Sequence, residues 1–74
     1  MNADTVIDFH GAEINLSREY CEARRLMGLK TTDLDWLYEK VAQVYLNIRD
    51  DEWSQAYLNL MDEIQLRQRM LLVG

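Results

Sequence analysis

Proline is absent from this chain, and glycine occurs only at positions 11, 28 and 74. Both residues break regular backbone, so their scarcity argues against an all-β fold with its many tight turns and suits helices joined by short connections. Cysteine and histidine occur once each, as Cys21 and His10. A single chain can therefore form no internal disulfide and cannot supply the four ligands of a tetrahedral zinc site, which only a dimer sharing two of each could assemble. A nucleophilic Cys21 would need a base beside it, and His10 belongs to a distant turn; Cys21 reads instead as a small buried apolar side chain. Gly11 and Gly28 are isolated, so no loop is built to cradle a phosphate, and no cofactor is implied.

Long apolar runs are lacking too. The longest, Met70 to Val73, is far too short to cross a bilayer, so no membrane partner is expected. Asp4 and Asp8 stand near the N-terminus without an early Lys or Arg, which does not fit a secretory signal. The default location is a reducing cytoplasm, including that of a host cell if the gene is carried by a phage.

What is present is apolar and acidic. Half of the 74 residues (49%) are hydrophobic, including two Trp and four Tyr, enough to place the chain outside the class that stays disordered. It reads as one small domain over residues 1–74, near the size at which a single core leaves only a few kcal/mol of net stability. A second copy or another partner would help it. The formal charge is −5. Residues 30 to 63 account for all of it, with Lys30, Lys40 and Arg49 against Asp33, Asp35, Glu39, Asp50, Asp51, Glu52, Asp62 and Glu63. Such a balance disfavours contacts driven by phosphate neutralisation.

Taken in order, residues 5–16 predict a β-hairpin with a two-residue His10-Gly11 turn. That register pairs Phe9 with Ala12, Ile7 with Ile14 and Thr5 with Leu16, and puts Ile7, Phe9, Ala12, Ile14 and Leu16 on one face. It also sets Asp8 across from Glu13. A lone hairpin is marginal in water, so its apolar face must rest on helices or join strands of another chain. His10 reads as a turn residue rather than a ligand or switch.

A short first helix is expected over 17–28, capped by Ser17, with Leu16, Tyr20, Ala23 and Met27 facing the core and Gly28 as a left-handed cap. Arg18, Arg24 and Arg25 point away from that stripe. A second helix is expected over 33–49, capped by Thr31 or Thr32, with Leu34, Leu37, Tyr38, Val41, Val44, Tyr45 and Ile48 within an arc of about 120°. Trp36 and Leu46 miss the arc; Trp36 suits either a partner contact or packing under the hairpin. The run Asp50-Asp51-Glu52 suggests a break with a new cap, the alternative being one continuous helix of some forty residues. As a cation site it lacks a defined loop. A third helix over 52–72 puts Trp53, Ala56, Tyr57, Leu60, Met61, Ile64 and Leu71 on its main face, interrupted by Arg67. Leu58, Leu66 and Met70 point elsewhere, the pattern of a sandwiched helix.

The fold expected is mainly α with a minor β part: an N-terminal hairpin, a short helix and a long antiparallel helical hairpin. Carboxylate pairs such as Asp35 and Glu39 lie on an outward helix face in contact with solvent, and no other group suggests an enzyme. The first functional reading is a small regulatory or inhibitory protein-protein interaction module, with Trp36, Leu46, Leu58, Leu66 and Met70 as partner-binding residues and a homodimer favoured. The alternative is an acidic mimic of nucleic acid, acting through Asp35, Glu39, Asp50, Asp51 and Glu52. A third is a weak DNA-binding regulator using Arg18, Arg24, Arg25 and Lys30, although the helix that would read bases begins Thr-Thr-Asp-Leu-Asp-Trp.

Overall fold

The computed structural model describes residues 4–73. Val6–Phe9 (β1) and Ala12–Asn15 (β2) form an antiparallel pair, with Ile7 opposite Ile14, Asp8 opposite Glu13 and Phe9 opposite Ala12. His10 and Gly11 both adopt positive φ, 52° and 83°. These are the signs that a type I′ turn requires, and the twist of that turn matches the twist of the strands. Only part of the expected apolar face reaches the core. Ile7 and Ile14 pack against it and Leu16 is fully buried, whereas Ala12 is exposed and Phe9 lies edge-on to His10 at 4.4 Å between ring centres.

β2 runs straight into Leu16–Met27 (α1), which Asn15 rather than Ser17 caps by accepting from the Arg18 amide at 3.0 Å. A carbonyl-bearing side chain one position before the first helical residue reaches that amide, and Ser17 already lies inside the helix. Gly28 ends α1 in right-handed geometry (φ −79°, ψ −10°), its N–H donating to the carbonyls of Arg25 and Leu26. The tight terminal turn satisfies those carbonyls without the left-handed residue expected there. Cys21, expected inside, is exposed, because it falls about 140° round the helix from the buried Leu16, Ala23 and Met27 stripe.

Leu34–Tyr45 (α2) is capped by Asp33, whose carboxylate accepts from the Trp36 amide at 3.2 Å; neither Thr31 nor Thr32 does this. The helix ends four residues before position 49. Asn47 turns its side-chain amide onto the Gln43 carbonyl at 2.8 Å, competing with the helical ladder as asparagine does at helix ends. Asp50 then caps Asp51–Val73 (α3), accepting from the Trp53 amide at 2.9 Å, so the chain breaks between two helices.

The fold is thus mainly α with a two-stranded β part. α2 and α3 form an antiparallel hairpin, and α1 lies against both. Leu37, Leu60, Ile64 and Tyr57 are essentially inaccessible to water, and burying each such side chain contributes about 1.5–3 kcal/mol. Tyr20, Trp53 and Tyr57 meet at ring separations of 5.9 to 6.2 Å in tilted and edge-to-face arrangements. The Tyr57 hydroxyl donates to the Leu16 carbonyl at 2.7 Å and ties α3 to the junction of hairpin and α1.

Candidate interaction surfaces

Helix length creates the surface. At about 1.5 Å per residue the 23 residues of α3 extend about 34 Å and the 12 of α2 about 18 Å, in a molecule 37 Å long. The buried positions of α3 run from Trp53 to Ile64, and no residue from 65 to 72 is buried. Leu71 continues the core-facing stripe at seven residues from Ile64, yet it is 71% exposed, because α1 and α2 do not extend far enough to cover it. Its expected place in the core is therefore corrected.

The last turns of α3 meet the connection between α1 and α2. Leu71 lines two shallow adjoining depressions, one with Met27, Leu29 and Leu34, the other with Leu34, Leu72 and Asp33. Leu72 is 88% exposed. Arg67 and Lys30 stand at the rim of one depression. Across the other, the Gln68 side-chain amide donates to the Asp35 carboxylate and fastens α3 to the start of α2. This end of the molecule is an apolar saddle with a polar margin.

The five partner-binding residues expected from sequence are all exposed but do not form one patch. Trp36 lies on the polar side of α2, 53% exposed, with the Lys40 ammonium 5.3 Å from its ring centre. It does not pack under the hairpin, which adjoins the opposite end of α2 at Leu46. Leu66 and Met70 project from the outer side of α3. Leu58 lies farther back along that helix. The sandwiched arrangement expected for α3 is not formed among the described residues, since its second apolar side faces solvent.

Leu46 is 77% exposed and belongs to a separate cleft of about 520 Å³. One wall is Thr5 together with Val6 to Asp8 of β1; the other is the α2–α3 connection, from Leu46 to Asp50; buried Leu16 also lines it.

The acidic residues are also dispersed. Asp50 caps α3, Asp51 and Glu52 occupy its first turn, and Asp35 holds Gln68 at the far end of α2. Glu39 is exposed on the face of α2. Among the arginines, Arg24 pairs with Glu63 of α3 at 3.0 Å and sits 5.6 Å from the Tyr20 ring centre. Arg25 pairs with Glu22 at 2.6 Å, which holds that carboxyl below its ordinary range. Burial raises the Tyr57 phenol well above its usual value, with the Glu19 carboxylate adding to the effect.

Sequence reasoning gave Leu29 no binding role and placed Leu71 on the core face of the third helix, while the closing run of residues 69–74 is apolar enough to read as either a continued helix or a docking tail. The available signal was the stripe running on to Leu71 in a helix longer than its partner. Among the described residues no cluster of three His, Cys, Asp or Glu side chains could hold a metal, and no helix is long and apolar enough to cross a membrane. No protein-family model, curated protein or solved structure matches the chain, and its function has to be read from these surfaces.

Proposed function

We propose that the chain is a small non-enzymatic protein-binding module that docks through the apolar saddle where the end of α3 meets the α1–α2 connection. The observation that carries this reading is the exposure of Leu71 and Leu72 beside Leu29 and Leu34, at the end of a helix whose core stripe outruns its own core. Large apolar side chains grouped in a depression with a polar rim are what a partner helix or loop buries. Leu66, Met70 and Trp36 extend the same end of the molecule outward. Such a module acts by occupying a surface of another protein, which suits a regulator or inhibitor.

The acidic-mimic reading has less support, because three of its five carboxylates lie at the start of α3, and Asp35, near the other end of the bundle, is bonded to Gln68. DNA binding through Arg18, Arg24, Arg25 and Lys30 would compete with the two ion pairs already formed by Arg24 and Arg25.

A photo-crosslinking residue placed at Leu72, in cells of the encoding organism, tests the proposal, with Leu71→Glu as the paired variant. One dominant crosslinked protein that is lost with Leu71→Glu, and whose association with the chain persists at high salt, is the expected result. A partner that crosslinks equally well with Leu71→Glu would refute the saddle. A partner released by modest salt would favour the carboxylates, since exposed charge contacts are screened within about 10 Å at 0.1 M salt.

A further inference from the structure

The cleft beside β1 has a feature independent of the saddle: its strand wall is an open hydrogen-bonding edge. The Leu16 N–H donates to the Thr5 carbonyl at 3.0 Å, so Thr5 and Leu16 form a hydrogen-bonded pair of the hairpin ladder. Antiparallel ladders alternate, so Ile7–Ile14 and Phe9–Ala12 are also bonded pairs, while Val6 and Asp8 turn their N–H and C=O groups outward. Both residues are exposed and line the cleft. Among the described residues no backbone hydrogen bond joins β1 to the Leu46–Asp50 wall. β2, in contrast, continues directly into α1.

We propose that this edge pairs with β1 of a second copy, giving a four-stranded sheet of order β2-β1-β1-β2 about a two-fold axis through Ile7. An isologous contact needs a self-complementary surface, and an antiparallel strand edge is one. Charge selects the register. Only even-numbered residues face outward, so the candidate pairings differ by steps of two. Pairing Asp8 with Asp8 of the second copy opposes like charges, and pairing Val6 with Val6 sets Asp8 against Asp4. Pairing Val6 with Asp8 of the second copy, twice, opposes no like charges and satisfies all four outward groups on each chain. It also places Ile7 against Ile7 on the core side of the sheet. Leu46 and Ile48 then lie along the cleft into which the second strand fits, which gives the 77% exposed Leu46 an apolar neighbour. Main-chain bonds supply the pairing and the apolar floor adds to it, the usual division of roles when a strand joins a sheet edge.

Sedimentation equilibrium of the full chain tests this, from micromolar to millimolar concentration, with Val6→Pro alongside. The Val6 N–H faces away from β2, so proline removes an intermolecular donor without breaking the hairpin ladder. The wild-type chain should approach twice its 8.8 kDa mass, and Val6→Pro should stay at 8.8 kDa with unchanged helical circular dichroism. In a Cys21→Ser background, Val6→Cys with Asp8→Cys should give a disulfide-linked dimer on oxidation, because bonded antiparallel pairs sit about 5.5 Å apart between Cα atoms, inside the range a disulfide spans. Neither single cysteine variant should crosslink to the same extent. A wild-type monomer throughout would overturn the proposal, as would crosslinking by Asp8→Cys alone. Leu71→Glu leaves this equilibrium unchanged, so failure of the saddle and failure of the edge are separately visible.

Discussion

Replacing Tyr57 by phenylalanine removes one oxygen from the centre of the fold and leaves the ring in place. That oxygen is fully buried and donates to the Leu16 carbonyl at 2.7 Å, across 41 positions of sequence. A net contribution of about 1 kcal/mol follows for such a bond. In a domain of this size that lowers Tm by about 4–8 °C. Tyr38→Phe is the control, because Tyr38 is half-buried and its hydroxyl bonds to nothing among the described residues; it should leave stability unchanged. The pH dependence makes the test sharper. Burial raises the native phenol above its ordinary value of 10.0, so the native state keeps its proton where the unfolded chain loses it. The unfolded state then binds fewer protons, and the stabilisation by Tyr57 is whole below about pH 10 and falls as pH rises. One pH unit above 10 removes about 1.4 kcal/mol. Urea titrations followed by circular dichroism should therefore find Tyr57→Phe less stable at pH 7 and about equal to wild type near pH 11. A variant equal to wild type at pH 7, or a difference that does not change with pH, would refute the reasoning.

Two further substitutions examine backbone and cap. Gly28→Ala should raise stability by about 0.4–1 kcal/mol, since Gly28 is right-handed and an added Cβ meets the Arg25 and Arg24 carbonyls at ordinary distances of 3.5 and 3.9 Å. Gly11→Ala, at φ +83°, should lower it by about 1–2 kcal/mol in the same thermal melts. Asp50→Ala should cost about 1 kcal/mol by freeing the Trp53 amide, whereas Asp50→Asn, which still caps, should cost only a few tenths in chemical denaturation.

Much of the fold could be read from spacing. Leu34, Leu37, Val41 and Val44 recur at intervals that leave one helical face to bury, and those residues are buried. The His10-Gly11 turn and the pairing of Ile7 with Ile14 followed from alternation about a glycine. Caps were less legible, because Asn15, Ser17, Thr31, Thr32 and Asp33 can all accept an amide hydrogen bond. Which one does so depends on where the first helical turn starts, and packing decides that within a residue or two.

The surfaces were legible only in part. The apolar surplus at Trp36, Leu46, Leu58, Leu66 and Met70 was visible, since a residue off the buried stripe has nowhere in its own helix to hide. Its division between two ends of the molecule was not. The local pattern determined which face of each helix is apolar and that an edge strand would exist, because periodicity is a property of neighbours in sequence. Tertiary structure alone decided that Leu71 lies in the open and that β1 borders a cleft. Each depends on how far one element reaches past another, and relative reach is set by the packing of α1 and α2 against a longer α3, which no window of sequence contains.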